Sequence, residues 1–294
     1  MKSLVVLSFL FLLSSCGMNF LFLHPFELNE HSEFKQFKEE SGDTLKLTFD
    51  EYAQPNFKFL GAAEYAPGYD INSVFFEGAK GNRLNAWIIT PDGESNGTSL
   101  YFLHGNAGNI VYNYQLAIPF VKRGYKVFLM DYSEFGFSEG EAKRKIVLED
   151  ALKGFDYMKS RYEFEDENIV IYGQSLGGHL AAVVGTQKQD EIDALVVEGA
   201  FANHKDIAAD RVPFLGRIFV AEQYSGTKHL PDYTKPLLVI HSISDATVPI
   251  SQGRKLFESA NEPKTFYQID SMHVRGPLYY ADSISFKIQS MLEK

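Results

Sequence analysis

IYGQSLGGHL, residues 171–180, is the stretch that decides the fold. It places Ser175 between Gly173 and Gly177, after an apolar run and before a run rich in alanine and glycine. A strand that turns sharply into a helix at a serine holds the hydroxyl clear of the sheet, and glycines on either side leave room where a side chain would not fit. We interpret Ser175 as a nucleophile on such a corner. The alternative is a serine that caps the helix.

Alternating strand and helix patterns surround this stretch. Short runs that are apolar on both faces, as in buried parallel strands, lie at 98–105, 125–132, 167–173, 193–199, 235–242 and 264–270. Amphipathic patterns predict helices at 110–123, 143–161, 175–187, 251–260 and 276–293. The segments at 72–78 and 84–90 predict a hairpin. The sequence therefore predicts an α/β fold with a mostly parallel central sheet and helices on both of its faces.

One segment, residues 200–234, breaks the alternation because it is too long for a simple crossover between strands. We interpret it as a small, cap-like helical insertion over the sheet. Its large apolar side chains would line an acyl pocket or form the insertion's own core: Phe201, Val212, Phe214, Leu215, Ile218, Phe219 and Tyr224. We assign residues 72–294 to one domain, and residues 16–71 to a tether and an N-terminal extension in which we predict no element.

The composition narrows the possible partners. The chain has 294 residues and a formal net charge of −10. Nucleic-acid binding requires a basic face, so this charge argues against a nucleic-acid partner. The single cysteine, Cys16, excludes an internal disulfide and a cysteine-based zinc site. We expect no metal, no organic cofactor and no obligate protein partner.

The N-terminus reads MKSLVVLSFLFLLSSCGMNF. Lys2 precedes an apolar run of secretory length, so residues 1–15 are predicted to be a signal peptide. The tetrapeptide LSSC that ends at Cys16 resembles the lipobox of bacterial lipoproteins, which implies lipidation of Cys16 and a membrane anchor. Gly17, where an inner-membrane retention signal usually has Asp, favours the outer membrane. The alternatives are an uncleaved transmembrane anchor over residues 3–23 and an ordinary signal peptide, and all three place the domain outside the cytoplasm.

A second motif, HGNAGN at residues 104–109, follows the predicted strand that contains SLYF. A tight turn here would aim backbone N–H groups toward Ser175. An oxyanion hole needs two such donors, one from the residue after the nucleophile and one from this loop. We therefore predict that the N–H groups of Asn106 and Leu176 form it. The alternative is an ordinary Gly-Asn turn.

The acid and the base of a catalytic triad follow later in the chain. HSISDATVP, residues 241–249, places Asp245 in a loop after a strand, where an acid can reach a histidine. Glu198, at the end of the preceding strand, is the competing acid. In the hydrolase order of serine, acid and histidine, His273 is the histidine that lies beyond Asp245. We expect structural roles for His104 and His241.

Together these motifs resemble the α/β-hydrolase superfamily of serine type, and within it a membrane-associated branch. The likeness covers roughly residues 72–294 and rests on HGNAGN, on the loop at 131–140, on GQSLG at 173–177 and on HSISD at 241–245. Ser133 and Glu134 stand where that branch tends to carry Arg-Gly, and Val274 and Arg275 replace small residues often found after the histidine.

The resemblance implies a serine hydrolase that cleaves carboxylic esters or thioesters through an acyl-enzyme on Ser175. The expected substrate is a small-molecule or lipid-like acyl compound. Two other functions stay open at this point. The triad is also compatible with a peptidase, and the chain could be a catalytically idle, surface-tethered binding module built on a hydrolase scaffold.

Overall fold

A computed structural model describes residues 19–38, 42–61, 65–213 and 215–293 of the chain. Its centre is an eight-stranded sheet with strand order β13-β12-β11-β10-β7-β9-β6-β5. The members are β5 (Tyr69–Glu77), β6 (Arg83–Pro91), β7 (Thr98–Leu103), β9 (Lys126–Met130), β10 (Asn168–Gln174), β11 (Ala194–Glu198), β12 (Leu237–Ser242) and β13 (Lys264–Ile269). The remaining strands are β1 (His24–Pro25), β2 (Phe34–Lys38), β3 (Asp43–Phe49), β4 (Pro55–Phe59) and β8 (Ala107–Gly108).

The sheet is mostly parallel, as predicted. The strands β13, β12, β11, β10, β7 and β9 run parallel, while β6 pairs antiparallel with both β9 and β5. Every residue of β7, β11 and β12 is buried. Their central residues are apolar because both faces of these strands are covered, and the polar residues of the three strands lie at the strand ends. The predicted hairpin is β5–β6, and β5 begins at Tyr69, three residues earlier than expected.

Helices cover both faces of the sheet. They are α1 (Ile110–Val121), α2 (Arg144–Lys159), α3 (Leu176–Gln187), α4 (His204–Arg211), α5 (Leu215–Phe219), α6 (Gly226–His229), α7 (Ile250–Ser259) and α8 (Gly276–Leu292). The buried faces of α1 and α8 pack into one apolar layer with β-strand side chains such as Leu100 and Val196. The buried faces of α2, α3 and α7 pack into the layer on the other side, with Tyr101 and Val197. The predicted α/β sandwich is therefore confirmed.

Residues 200–234 contain three short helices, α4, α5 and α6, and a 3-10 turn at Leu230–Asp232. They lie between β11 and β12, so the segment interrupts the alternation of strand and helix where the sequence predicted an insertion. A methyl group on Gly216 would overlap the carbonyl oxygen of Ala208, which shows how closely α4 and α5 approach.

The N-terminal part of the described chain has more structure than predicted. The strands β2, β3 and β4 form a small antiparallel sheet of their own, and β1 pairs in parallel with β8. Phe22 and Leu23 are buried in the same apolar layer as α2 and α3. The predicted signal peptide, residues 1–15, and Cys16 lie outside the described residues. Among the helices that the structure does describe, none is long and apolar enough to cross a membrane.

Candidate active site

Ser175 stands on a strained corner between β10 and α3. Its φ and ψ are 54° and −116°, a conformation that non-glycine residues seldom adopt and that is typical of functional sites. The backbone on both sides is fixed, because the N–H of Ser175 donates to the carbonyl oxygen of Glu198 at 2.9 Å and its own carbonyl accepts from the N–H of His179 at 3.0 Å. Within the described chain its side chain makes no capping hydrogen bond to α3. The helix-cap interpretation therefore has no contact to support it.

The two flanking glycines permit this corner. A methyl group on Gly177 would overlap the carbonyl oxygen of Leu103, and one on Gly173 would overlap the carbonyl oxygen of Gly177. The turn therefore packs backbone against backbone, with no space for a Cβ at either position. Both glycines have the role that the sequence predicted for them.

Asp245 and His273 form a close pair. Nδ1 of His273 lies 2.6 Å from Oδ2 of Asp245, and Oδ1 of Asp245 accepts the N–H groups of Thr247 at 2.8 Å and Val248 at 2.9 Å. Burial by itself would raise the pKa of Asp245, but the hydrogen bond and positive charge of His273 and the two N–H donors outweigh it. The pKa of this carboxyl is therefore below its ordinary value, and it is ionised when it holds the imidazole.

Ser175 and His273 both contact the carboxyl end of β11. The N–H of Ser175 donates to Glu198, the last residue of that strand. A methyl group on the next residue, Gly199, would lie 3.4 Å from the ring of His273. The serine and the histidine–acid pair thus lie at the same strand end, although β10, β12 and β13 are the strands that lead to them.

Glu198, the competing acid, accepts hydrogen bonds from groups other than His273. Its Oε2 accepts from the hydroxyl of Tyr172 and from Nε2 of Gln174, both at 2.7 Å, and its Oε1 accepts from the N–H of Gly276 at 2.8 Å. Burial raises the pKa of this carboxyl. The hydrogen bonds tie α8 to β10 and β11, so Glu198 stabilises the base of the site and Asp245 is the acid that holds the histidine.

The loop of HGNAGN lies against Ser175. A methyl group on Gly105 would be 3.6 Å from Cβ of Ser175. The loop is supported from below by buried His104, whose Nδ1 is 2.7 Å from the carbonyl oxygen of Gly105 and whose Nε2 is 3.3 Å from Oδ1 of Asp131. Burial raises the pKa of Asp131, which also accepts the N–H of Ile110 at 2.8 Å. His104 therefore has the structural role that the sequence suggested.

A largely apolar cavity of about 280 Å³ opens at the serine. Asn106, Ser175 and Leu176 all line it, so the structure brings both predicted oxyanion donors and the predicted nucleophile to one space. The insertion supplies much of its lining, and the loop after Asp245 contributes Thr247 and Val248. The lining residues supplied by the insertion and its flanks are Phe201, Ile207, Ala208, Arg211, Val212, Gly216, Phe219 and Val220.

The two expectations for the insertion's apolar residues are both met in part. Phe201, Val212 and Phe219 line the cavity. Tyr224 is buried beside His179, with ring centroids 5.2 Å apart, and belongs to the insertion's core. Ile218 is 71% exposed, and Phe214 lies outside the described residues.

Comparison with known proteins identifies the family of the fold. Residues 98–226 match a family model described as the alpha/beta hydrolase fold. Over 243 residues the chain is 30% identical to the uncharacterized protein YfhR of Salmonella typhi, with 76% of this chain and 83% of that protein covered. The chain belongs to the α/β-hydrolase superfamily.

Two solved structures, one of them an esterase, share the fold. The Pyrococcus furiosus esterase Pf2001 superposes with a TM-score of 0.63 at 19% identity, covering 79% of this hydrolase-fold chain and 96% of its own. Est1E from Butyrivibrio proteoclasticus, solved with ferulic acid bound, gives a TM-score of 0.62 at 18% identity, with 75% and 100% covered. At these identities the likeness concerns the α/β-hydrolase fold.

A cluster of possible metal ligands lies beneath the insertion of this α/β-hydrolase. Ligand atoms of His179, His204 and Glu222 fall within 4.8 Å of one another. Protein groups already contact them, since Nδ1 of His204 is 2.6 Å from Oε1 of Glu222 and Nδ1 of His179 is 2.9 Å from the carbonyl oxygen of Phe201. Burial and the neighbouring His204 lower the pKa of His179 to about 3, so its ring is neutral. The cluster serves as a hydrogen-bond network that fixes the insertion on α3.

The sequence does not predict two of the residues that line the hydrolase cavity. Leu21 and Phe22 come from the N-terminal segment, which we had interpreted as a tether. Their apolar stretch directly continues the apolar run before Cys16, so its pattern predicts an anchor as well as it predicts a buried wall. No local signal in the sequence separates these two roles.

Proposed function

We propose that the protein is a serine hydrolase that cleaves carboxylic esters, or the related thioesters, through an acyl-enzyme on Ser175. The observation that carries the proposal is the strained Ser175 at an apolar cavity, beside a histidine whose Nδ1 is held by a carboxylate at 2.6 Å. This is the arrangement of nucleophile, base and orienting acid that acyl transfer requires.

In the proposed mechanism, the Nδ1–H of His273 donates to Asp245, which leaves Nε2 free to accept a proton. Oγ of Ser175 attacks the acyl carbon, and its proton passes to His273. The protonated His273 then gives that proton to the departing alkoxide or thiolate, so the alcohol or thiol leaves neutral. A water molecule, activated by His273, hydrolyses the acyl-enzyme and restores the serine.

The N–H groups of Asn106 and Leu176 are proposed to stabilise the oxyanion that forms in both halves of this reaction. Both residues line the cavity at Ser175, which supports the assignment. The N–H of Leu176 belongs to the first turn of α3, where unpaired donors and the helix dipole favour negative charge. Loss of one such donor costs about 3 kcal/mol of transition-state stabilisation.

The cavity lining supports an apolar acyl group as substrate. Phe22, Phe201, Ile207, Val212 and Phe219 supply apolar surface, and a pocket of this kind binds alkyl or aryl groups by removing them from water. The proposed reaction uses side chains and backbone N–H groups of the chain itself and needs no metal or organic cofactor.

Labelling of the full chain with a fluorophosphonate probe in membranes of expressing cells, followed by peptide mapping, tests the mechanism. One label on Ser175, absent in Ser175→Ala, is expected. Ser244→Ala is the matched control, since this exposed serine precedes Asp245 and should leave labelling unchanged. If a properly folded wild-type chain takes up no label, the serine is idle and a binding module becomes the better explanation.

We also propose that the chain is a bacterial lipoprotein outside the cytoplasm, anchored by a lipid on Cys16. The LSSC motif after an apolar run of signal-peptide length supports this. Cys16→Ser should abolish incorporation of radioactive palmitate and release of the signal peptide, whereas Met18→Ala should leave both intact. Palmitate incorporation that persists in Cys16→Ser would refute the anchor.

A further inference from the structure

Residues 21–24, which precede β2, lie against the candidate active site. Phe22 is 7% exposed and packs in the apolar layer that also contains the insertion, while Leu21 is 41% exposed. Both side chains line the cavity that Ser175 and Leu176 line. The segment that the sequence predicts to be a tether therefore forms one wall of the pocket.

The ring of Phe22 is fixed from several directions. It meets the edge of the His204 ring, with centroids 5.0 Å apart, and lies 6.4 Å from the ring of Phe201. The guanidinium of buried Arg144 is 4.7 Å from the centre of the same ring, and its Nη1 donates to the carbonyl oxygen of Ala221 at 2.9 Å. Because these contacts come from α2 and from the insertion, Phe22 is a rigid part of the wall.

Directly after Phe22 the chain holds the loop of HGNAGN. The backbone N–H of His24 donates to the carbonyl oxygen of Asn106 at 2.8 Å, and the N–H of Phe26 donates to that of Gly108 at 3.2 Å. Nδ2 of Asn109 in turn donates to the carbonyl oxygen of Phe26 at 2.8 Å. This parallel bridge between β1 and β8 holds the peptide group that follows Asn106, the residue whose N–H we assign to the oxyanion hole.

We propose that residues 21–24 are a working part of the active site. Leu21 and Phe22 are specificity-determining residues that set the acyl chain accepted, and His24 is a positioning residue whose backbone N–H holds Asn106 in the conformation that binds the oxyanion. The inference rests on the proposed acyl hydrolysis. It adds a requirement that the α/β-hydrolase domain alone does not meet, because the wall and the bridge come from outside residues 72–294.

The bridge is tested by removing one N–H. His24→Pro removes the donor to Asn106, whereas His24→Ala keeps it and changes only an exposed side chain. For the full chain in mild detergent, we expect His24→Pro to lower kcat about tenfold with KM within about twofold, because the lost contact acts on the transition state. His24→Ala, which keeps the N–H donor, should retain more of the wild-type kcat than His24→Pro does. Equal kcat values for the two variants, with both folded by circular dichroism, would overturn the positioning role.

The wall is tested with p-nitrophenyl esters from butyrate to dodecanoate. Leu21→Ala and Phe22→Ala should change the ratio of kcat/KM for dodecanoate to that for butyrate by about fivefold or more, since both enlarge the pocket. Phe20→Ala is the matched control, an exposed neighbour that does not line the cavity, and should keep the wild-type ratio. Leu21→Ala alone is informative where Phe22→Ala does not fold. An unchanged ratio in Leu21→Ala would overturn the wall.

Binding separates failure of this inference from failure of the proposed function. Wild-type protein that hydrolyses none of the esters would count against acyl hydrolysis. In that case cis-parinaric acid is titrated into three proteins, and its binding is followed by fluorescence. The proteins are Ser175→Ala and the two double variants that combine it with Leu21→Ala or with Phe20→Ala. If Leu21→Ala changes the affinity about fivefold and Phe20→Ala leaves it unaltered, the role of Leu21 as a wall residue stands. Equal affinity for all three proteins would reject that role.

Discussion

Nδ1 of His273 and Oδ2 of Asp245 are 2.6 Å apart, and the other oxygen of Asp245 is held by two backbone N–H groups of its own loop. The carboxylate therefore cannot turn away from the imidazole without losing Thr247 and Val248. This rigidity fixes both the tautomer and the direction of the ring, which a base needs if it is to accept a proton repeatedly at the same nitrogen.

Replacing each candidate carboxylate by its amide should show which of the two is the acid of the triad. Asp245→Asn is expected to lower the rate of fluorophosphonate labelling and ester hydrolysis by about 10³–10⁴-fold, because an amide next to Nδ1 favours the wrong tautomer. Glu198→Gln should cost stability, since three donors converge on that side chain, but change the rate less than about tenfold. Both rates are measured on protein that retains its wild-type circular dichroism spectrum. The reverse order of the two effects would make Glu198 the acid.

The strained corner should not tolerate a methyl group. Gly177→Ala would overlap the carbonyl oxygen of Leu103, so we expect a loss of about 3 kcal/mol or more in the free energy of unfolding, measured by urea denaturation. Gly185→Ala on the same helix is the matched control. Its Cβ would lie 3.1 Å from the flexible tip of Leu195, and alanine favours the helix by about 1 kcal/mol, so this change should be close to neutral. Similar losses for both would mean that the corner is not specially crowded.

Acid should destabilise the fold through its buried histidines. Burial, as the largest cause, lowers the pKa values of His179, His204 and His241 below their ordinary range. The ring of His179, with a folded pKa of about 3, stays neutral in the folded chain but becomes protonated in the unfolded chain below about pH 6.5. Its stabilising contribution is therefore complete above pH 6.5 and is lost as the pH falls toward the folded pKa, by about 1.4 kcal/mol per pH unit. The lowered pKa values of His204 and His241 act in the same direction.

The measurement is the free energy of unfolding in urea at steps from pH 7.5 to 4.5. His179→Gln should reduce the slope below pH 6.5 by about 1.4 kcal/mol per pH unit, because a neutral amide does not titrate. His31→Gln, at an exposed position, should leave the slope as it is in wild type. A stability that does not vary between pH 6.5 and 5 would contradict buried neutral histidines.

The central fold and the arrangement of the site could be predicted because their signals are local or follow from chain order. GQSLG marks the corner through five adjacent residues, and His273 is the histidine beyond Asp245. The buried strands also stand out as apolar runs. Each of these features is produced by residues that are neighbours in the sequence, or by a rule about the order of elements.

The pocket wall could not be predicted in this way. β1 has two residues, and its partner β8 lies more than eighty positions away, so neither strand produces a periodic pattern. Phe22 becomes recognisable as a wall residue only in the folded chain, where α2, the insertion and the loop of HGNAGN surround it. The sequence analysis also predicts no element for the small sheet of β2, β3 and β4, although β3 does alternate, with Leu45, Leu47 and Phe49 buried on one face.

Because Leu21 lines the cavity, a lipid on Cys16 would limit how far the pocket can stand from a bilayer. Four residues separate Cys16 from Leu21, so the chain between them has five Cα-to-Cα steps; at no more than about 3.6 Å per step, the two residues are at most about 18 Å apart. With a lipid on Cys16, the mouth of the pocket would be less than one bilayer thickness from the headgroups.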